Sequence, residues 1–124
     1  MKIYIYSKKY NKETKDTRNS ILAALYALYD RIYDYEKHGT SFEQIFNDDK
    51  VKYDQQGSFY VYKSARNNLQ LRILYSYFFE KEEAILLLMD YHIKKKNNKD
   101  YIREFEYAKE LDLKQVFQEA RMLE

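Results

Sequence analysis

Residues 69–92 read L-Q-L-R-I-L-Y-S-Y-F-F-E-K-E-E-A-I-L-L-L-M-D-Y-H, and the pairing of the two apolar runs in this stretch decides the fold. Both runs are long, the first rich in aromatic residues and the second aliphatic, and the polar Glu80–Glu83 between them predicts a turn. In the first run the odd positions Leu69, Leu71, Ile73, Tyr75, Tyr77 and Phe79 are uniformly apolar, while the even ones include Gln70, Arg72 and Ser76. In the second, the odd set is Ile85, Leu87, Met89 and Tyr91, and the even set ends in Asp90 and His92. Because a slip of one residue moves every side chain to the opposite face, the pairing should join odd with odd and keep one apolar layer. An odd-numbered loop within Glu80–Glu83 would then set Tyr75 beside Met89 and Phe79 beside Ile85. The same register brings Arg72 opposite His92 and Leu74 opposite Asp90, so that Arg72, Asp90 and His92 share one face at one end of the sheet.

Outward from this hairpin, Phe59–Tyr62 reads as a preceding strand and residues 65–68 as a turn, completing an antiparallel meander. Lys2–Tyr6 reads as a first strand that joins the same sheet. Residues 18–37 carry Ile21, Leu25, Leu28, Ile32 and Tyr35 at helical spacing, with Thr17, Asn19 and Ser20 as candidate N-caps and Gly39 past the end. Ser41–Phe46 has capping-box spacing and suggests another helical turn. Tyr101, Phe105, Ala108 and Leu111 mark a C-terminal helix, and Asp112 with Gln115 marks a restart carrying Val116, Phe117 and Ala120. The expected fold is α+β, a small, mainly antiparallel sheet with N-terminal and C-terminal helices, forming one domain over residues 1–124.

Composition narrows the chemistry. With no cysteine and only His38 and His92, the chain offers neither a disulfide framework nor a thiolate or histidine-rich metal site. No run reaches the ~18 apolar residues of a membrane span, and the N-terminus lacks a signal peptide's apolar centre, so a cytoplasmic, non-membrane protein is expected. Fifteen tyrosines and seven phenylalanines predict an aromatic core. The net charge of +2 conceals an uneven distribution: residues 1–20 carry +4, residues 58–79 carry +3 and residues 92–103 carry +4. If these segments meet on one side, that side attracts a polyanion. The plainer alternative is a cross-strand ion pair beside a solvated lysine run.

Arg, His, Tyr, Asp and clustered Lys can together cleave RNA without a metal or cofactor. His92 has the side chain for proton transfer near neutral pH. Arg72 could clamp the scissile phosphate, and Lys94, Lys95, Lys96 and Lys99 could hold its neighbours. Tyr91 could stack on a base or lend its hydroxyl, although its parity favours the core. Asp90 could orient His92 or act as a base. His38, just before Gly39, is expected at a helix C-terminus and outside the site. The chain contains no Gly-rich phosphate loop and no nucleophile elbow.

In order and spacing, F-Y-V-Y-K (59–63), L-R-I-L-Y-S-Y-F (71–78), I-L-L-L-M-D-Y-H (85–92), I-K-K-K (93–96) and E-Y-A-K-E-L (106–111) resemble the RelE/ParE superfamily of type II toxins, in particular the phage-type HigB-like branch. The resemblance implies a small sheet flanked by helices, ribosome-dependent cleavage of mRNA, and neutralisation by a cognate helix-turn-helix antitoxin. It assigns Arg72 to the central-strand arginine, Asp90-Tyr91-His92 to an acid-Tyr-His ending, and Lys94 and Lys95 to a lysine pair. Y-V-Y-K lacks the family's Glu-Leu-Arg, so the first-strand arginine is either missing or displaced to Arg66, and Asn97-Asn98-Lys99-Asp100 replaces the Thr-Pro that often follows the lysines. The same superfamily implies a competing function, a non-catalytic inhibitory binding protein such as a ParE-like topoisomerase inhibitor or a mobile-element protein that blocks a host protein. A purely structural domain is a third reading.

Overall fold

The computed structural model describes residues 1–39, 59–66, 69–94 and 102–123, apart from the side chain of Arg66. The fold is α+β. Strands β1 (Lys2–Ile5), β2 (Tyr60–Arg66), β3 (Leu69–Glu80), β4 (Glu83–Lys94) and β5 (Arg121–Met122) form one sheet in the order β2-β3-β4-β1-β5. Only the β1–β4 pair is parallel; the other pairings are antiparallel. Helix α1 (Lys15–Lys37) follows β1 after a 3-10 turn at Lys8–Lys12, and α2 (Ile102–Lys109) and α3 (Leu113–Glu119) lie near the C-terminus. No described helix is long and apolar enough to cross a membrane.

Each face of the sheet has its own core. On one, the α1 stripe Ile21, Leu25, Leu28 and Ile32 packs against Leu71, Ile73, Tyr75, Leu86, Leu88 and Tyr91, all buried. On the other, Ala108 of α2 and Val116 of α3 pack with Phe59, Val61, Leu74, Ile85, Leu87 and Met89. β4 is therefore covered on both sides, which accounts for its unbroken aliphatic run. Burying the four α1 side chains stabilises the helix–sheet contact by about 1.5–3 kcal/mol each, an upper estimate because unfolded chains are not fully extended.

The predicted hairpin forms, but by a different turn. Glu80 pairs with Glu83 across the two-residue turn Lys81–Glu82, where φ is +50° and +68°. Positive φ at both central positions is the type I′ geometry that matches strand twist, here without glycine. An even loop places Phe79 beside Ala84 and Tyr75 beside Leu88, in place of the expected Ile85 and Met89. A bulge then absorbs one residue at Met89, between the Leu74–Asp90 and Tyr75–Leu88 pairs. Beyond it the expected partners Leu74–Asp90 and Arg72–His92 are recovered. The bulge also sends Ile85, Leu87 and Met89 to the α2–α3 face and Tyr91 to the α1 face.

Three boundaries shift. The helix expected from residue 18 begins at Lys15, because Thr14 is its N-cap and accepts the Thr17 backbone N–H at 3.2 Å. β2 continues through Ala65 and Arg66, which had read as turn. β5, too short for a periodic signal, attaches to the outer edge of β1. The Asp112 restart is present, its carboxylate accepting the Lys114 N–H at 3.1 Å. The expected turn at Ser41–Phe46 lies outside the described residues.

Candidate functional site

Register alone aligns a row of three polar residues across the sheet. Lys63 pairs with Arg72 and Arg72 with His92, so β2, β3 and β4 each present one polar side chain to the α2–α3 face. The neighbouring row toward the strand ends is Ala65–Gln70–Lys94, and the inner one is Val61–Leu74–Asp90. Arg72, His92 and Lys94 are half-buried, and Lys63 is exposed. The Arg72 guanidinium is steadied by an Nη1 hydrogen bond to its neighbour's carbonyl, Leu71 O, at 3.3 Å.

Glu104, in the first turn of α2, holds His92. Its Oε1 accepts from His92 Nδ1 at 3.1 Å, and the two side chains are 15% and 12% exposed. A carboxylate can only accept, so the ring hydrogen sits on Nδ1 and a neutral ring keeps its lone pair on Nε2. That nitrogen is buried and has no hydrogen-bond partner among the described residues. The carboxylate–imidazole pairing matches the way a catalytic base is oriented, while the burial of Nε2 closes it to substrate in this arrangement.

Asp90 does not orient His92, one of the two roles expected of it. Its Oδ1 accepts the Tyr91 backbone N–H at 2.8 Å and meets Lys9 Nζ at 3.0 Å. Burial raises the Asp90 carboxyl above its ordinary value, with Lys9 acting in the opposite direction. Lys9 also lies 3.8 Å from Glu104, linking the turn after β1 to α2. Tyr91 is likewise not brought to this face. Its ring belongs to the α1-side core, and its hydroxyl donates to Glu13 Oε1 at 2.7 Å, so burial and that carboxylate push its pKa up. A phenol held in this way is a poor proton donor to RNA. His38 caps the C-terminal end of α1 as expected, its backbone N–H and ring Nδ1 both on Asp34 O.

Arg72, His92 and Lys94 therefore share a face, with Asp90 one row inward. Lys95, Lys96, Lys99 and the Arg66 side chain lie outside the described residues. Lys63, Lys9 and Glu104 are additions. Glu104 was legible, since it stands one helical turn before the buried Ala108 and so faces the sheet. Lys63 follows from extending the parity across β2, whereas Lys9 sits in a short 3-10 turn with no periodic signal. No family model matches the chain, and neither curated proteins nor solved structures give a match.

Proposed function

We propose that this protein is a toxin-like domain of the RelE/ParE type that acts in the cytoplasm as an endoribonuclease on ribosome-bound mRNA, with a helix-turn-helix antitoxin as its natural partner. The Lys63–Arg72–His92 row carries the reading, because it lines up two cations and an imidazole across three strands. This scheme requires α2 to shift and uncover His92 Nε2, which then takes the proton of a ribose 2′-hydroxyl as its oxygen attacks phosphorus. The bond from phosphorus to the 5′-oxygen breaks, and the imidazolium returns the proton to that oxygen. The products are a 2′,3′-cyclic phosphate and a 5′-hydroxyl. Arg72 stabilises the extra negative charge on the phosphorane, Lys63 and Lys94 hold adjoining phosphates, and Glu104 fixes the imidazole through Nδ1. Lys95, Lys96, Lys99 and Arg66 extend the phosphate-binding set.

One observation favours a second reading. With Nε2 buried, the face would act by binding alone, as an inhibitory protein that blocks a host target. Primer extension on ribosome-bound message, with wild type and Arg72→Ala compared, separates the two. New ends that vanish in Arg72→Ala support cleavage; an intact message bound in a salt-sensitive way supports inhibition by binding.

A further inference from the structure

A second feature, one row inward, lies between the end of β1 and α2. Tyr6, Lys8, Lys9, Met89, Asp90 and Tyr107 line a cleft of about 210 Å³. Pockets for drug-sized ligands run to roughly 300–1,000 Å³, so this one suits a flat group no larger than one nucleobase. Lys9 pairs with Asp90 and lies near Glu104, and Lys8 lines the same cleft, so the local charges cancel and a free anion gains little here. An uncharged ligand with a polar edge fits better.

We propose that this cleft is a nucleobase subsite selective for guanine, a specificity element of the RNA-cleaving site proposed above, and it rests on that reading for its substrate class. Asp90 presents an acceptor-only carboxylate, and Lys9 Nζ, 3.0 Å from its Oδ1, presents a donor beside it. Oδ1 already takes the Tyr91 N–H and Lys9, while Oδ2 has no hydrogen bond among the described residues. Guanine offers two adjacent donors, N1–H and the 2-amino group, next to the acceptor O6, which is the complement of a carboxylate followed by an ammonium. Adenine and cytosine offer one amino donor beside ring acceptors, and uracil offers one N–H between two carbonyls. Tyr107, 51% exposed, supplies an aromatic surface at the mouth, and Met89 supplies an apolar one. Asp90 and His92 are two residues apart on the same face of β4, about 7 Å along the strand, so a base in the cleft leaves its own phosphate near the Lys63–Arg72–His92 row.

The test is titration of the full chain with 3′-GMP, 3′-AMP, 3′-CMP and 3′-UMP, followed by backbone amide shifts. The expected result is 3′-GMP binding about tenfold or more tighter than 3′-UMP, with that preference lost in Asp90→Asn, since hydrogen bonds to the charged Asp90 Oδ2 are worth about that much discrimination. Tyr107→Ala, at an exposed position, should weaken all four by about fivefold or more through lost stacking. Equal affinities, a guanine preference that survives Asp90→Asn, or shifts centred away from Lys9, Asp90 and Tyr107 would overturn the assignment. These outcomes do not depend on cleavage. Guanine-selective binding without cleaved mRNA sinks only the ribonuclease reading, and cleavage without base preference sinks only this one.

Discussion

Removing the Glu104 carboxylate should uncouple α2 from the sheet at a single point. Glu104→Ala leaves His92 Nδ1 without its acceptor in a place where the ring is only 12% exposed. A hydrogen bond to a charged group contributes about 1.5–3 kcal/mol, with most of the loss arising from the donor left unsatisfied. The second contact, Lys9 to Glu104 at 3.8 Å, adds little, because Lys9 is 43% exposed and such pairs contribute about 0–1 kcal/mol. In a double-mutant cycle with His92→Ala, urea unfolding should therefore report a coupling of about 1.5–2.5 kcal/mol. Glu104→Gln keeps the shape and a neutral acceptor and should lose about half as much, since charge-assisted bonds are roughly twice as strong as neutral ones. A coupling below about 0.5 kcal/mol, the usual error of additivity, would refute the claim that Glu104 holds the imidazole.

Other outcomes follow from the same geometry. Glu82→Gly should stabilise the fold by about 1 kcal/mol in chemical unfolding, because Glu82 pays the left-handed penalty at φ +68° and glycine does not. Asp90 is raised by burial above its ordinary 3.8, so the carboxyl binds its proton more tightly folded than unfolded. The stability this contributes is full below pH 3.8 and declines as pH rises through the folded pKa, so wild type should lose ground to Asp90→Asn across that window. Stability curves measured with pH should show that sign, and a gap that widens in favour of wild type would contradict it. Lys63→Ala should weaken RNA binding and reduce the slope of log affinity against log salt by about one.

The same chain shows where periodicity informs and where it fails. Arg72 opposite His92 and Leu74 opposite Asp90 were legible because polar residues interrupt the even positions there, so parity has content. Over Ala84–Met89 both faces are buried. Parity is silent in such a run, and neither the bulge at Met89 nor the register before it could be inferred. The Lys81–Glu82 turn was hidden for a related reason: it adopts a geometry usually signalled by Asn-Gly, with residues that carry no such signal. In the site, Asp90 was the nearest acid to His92 in sequence, and orienting it was one of the two roles expected of that carboxylate, the other being a base. The strand pleat puts successive same-face residues about 7 Å apart, beyond hydrogen-bond reach, so the partner had to come from another element. That element is α2, through Glu104.

The central claim is that the Lys63–Arg72–His92 row cleaves RNA by 2′-hydroxyl attack. Its most direct test is the chemistry of the new 3′ ends on ribosome-bound mRNA treated with wild type, Arg72→Ala and His92→Ala. A 2′,3′-cyclic phosphate formed by wild type and lost in both variants is the predicted result. Unchanged mRNA, or cyclic ends equally abundant in both variants, would contradict it.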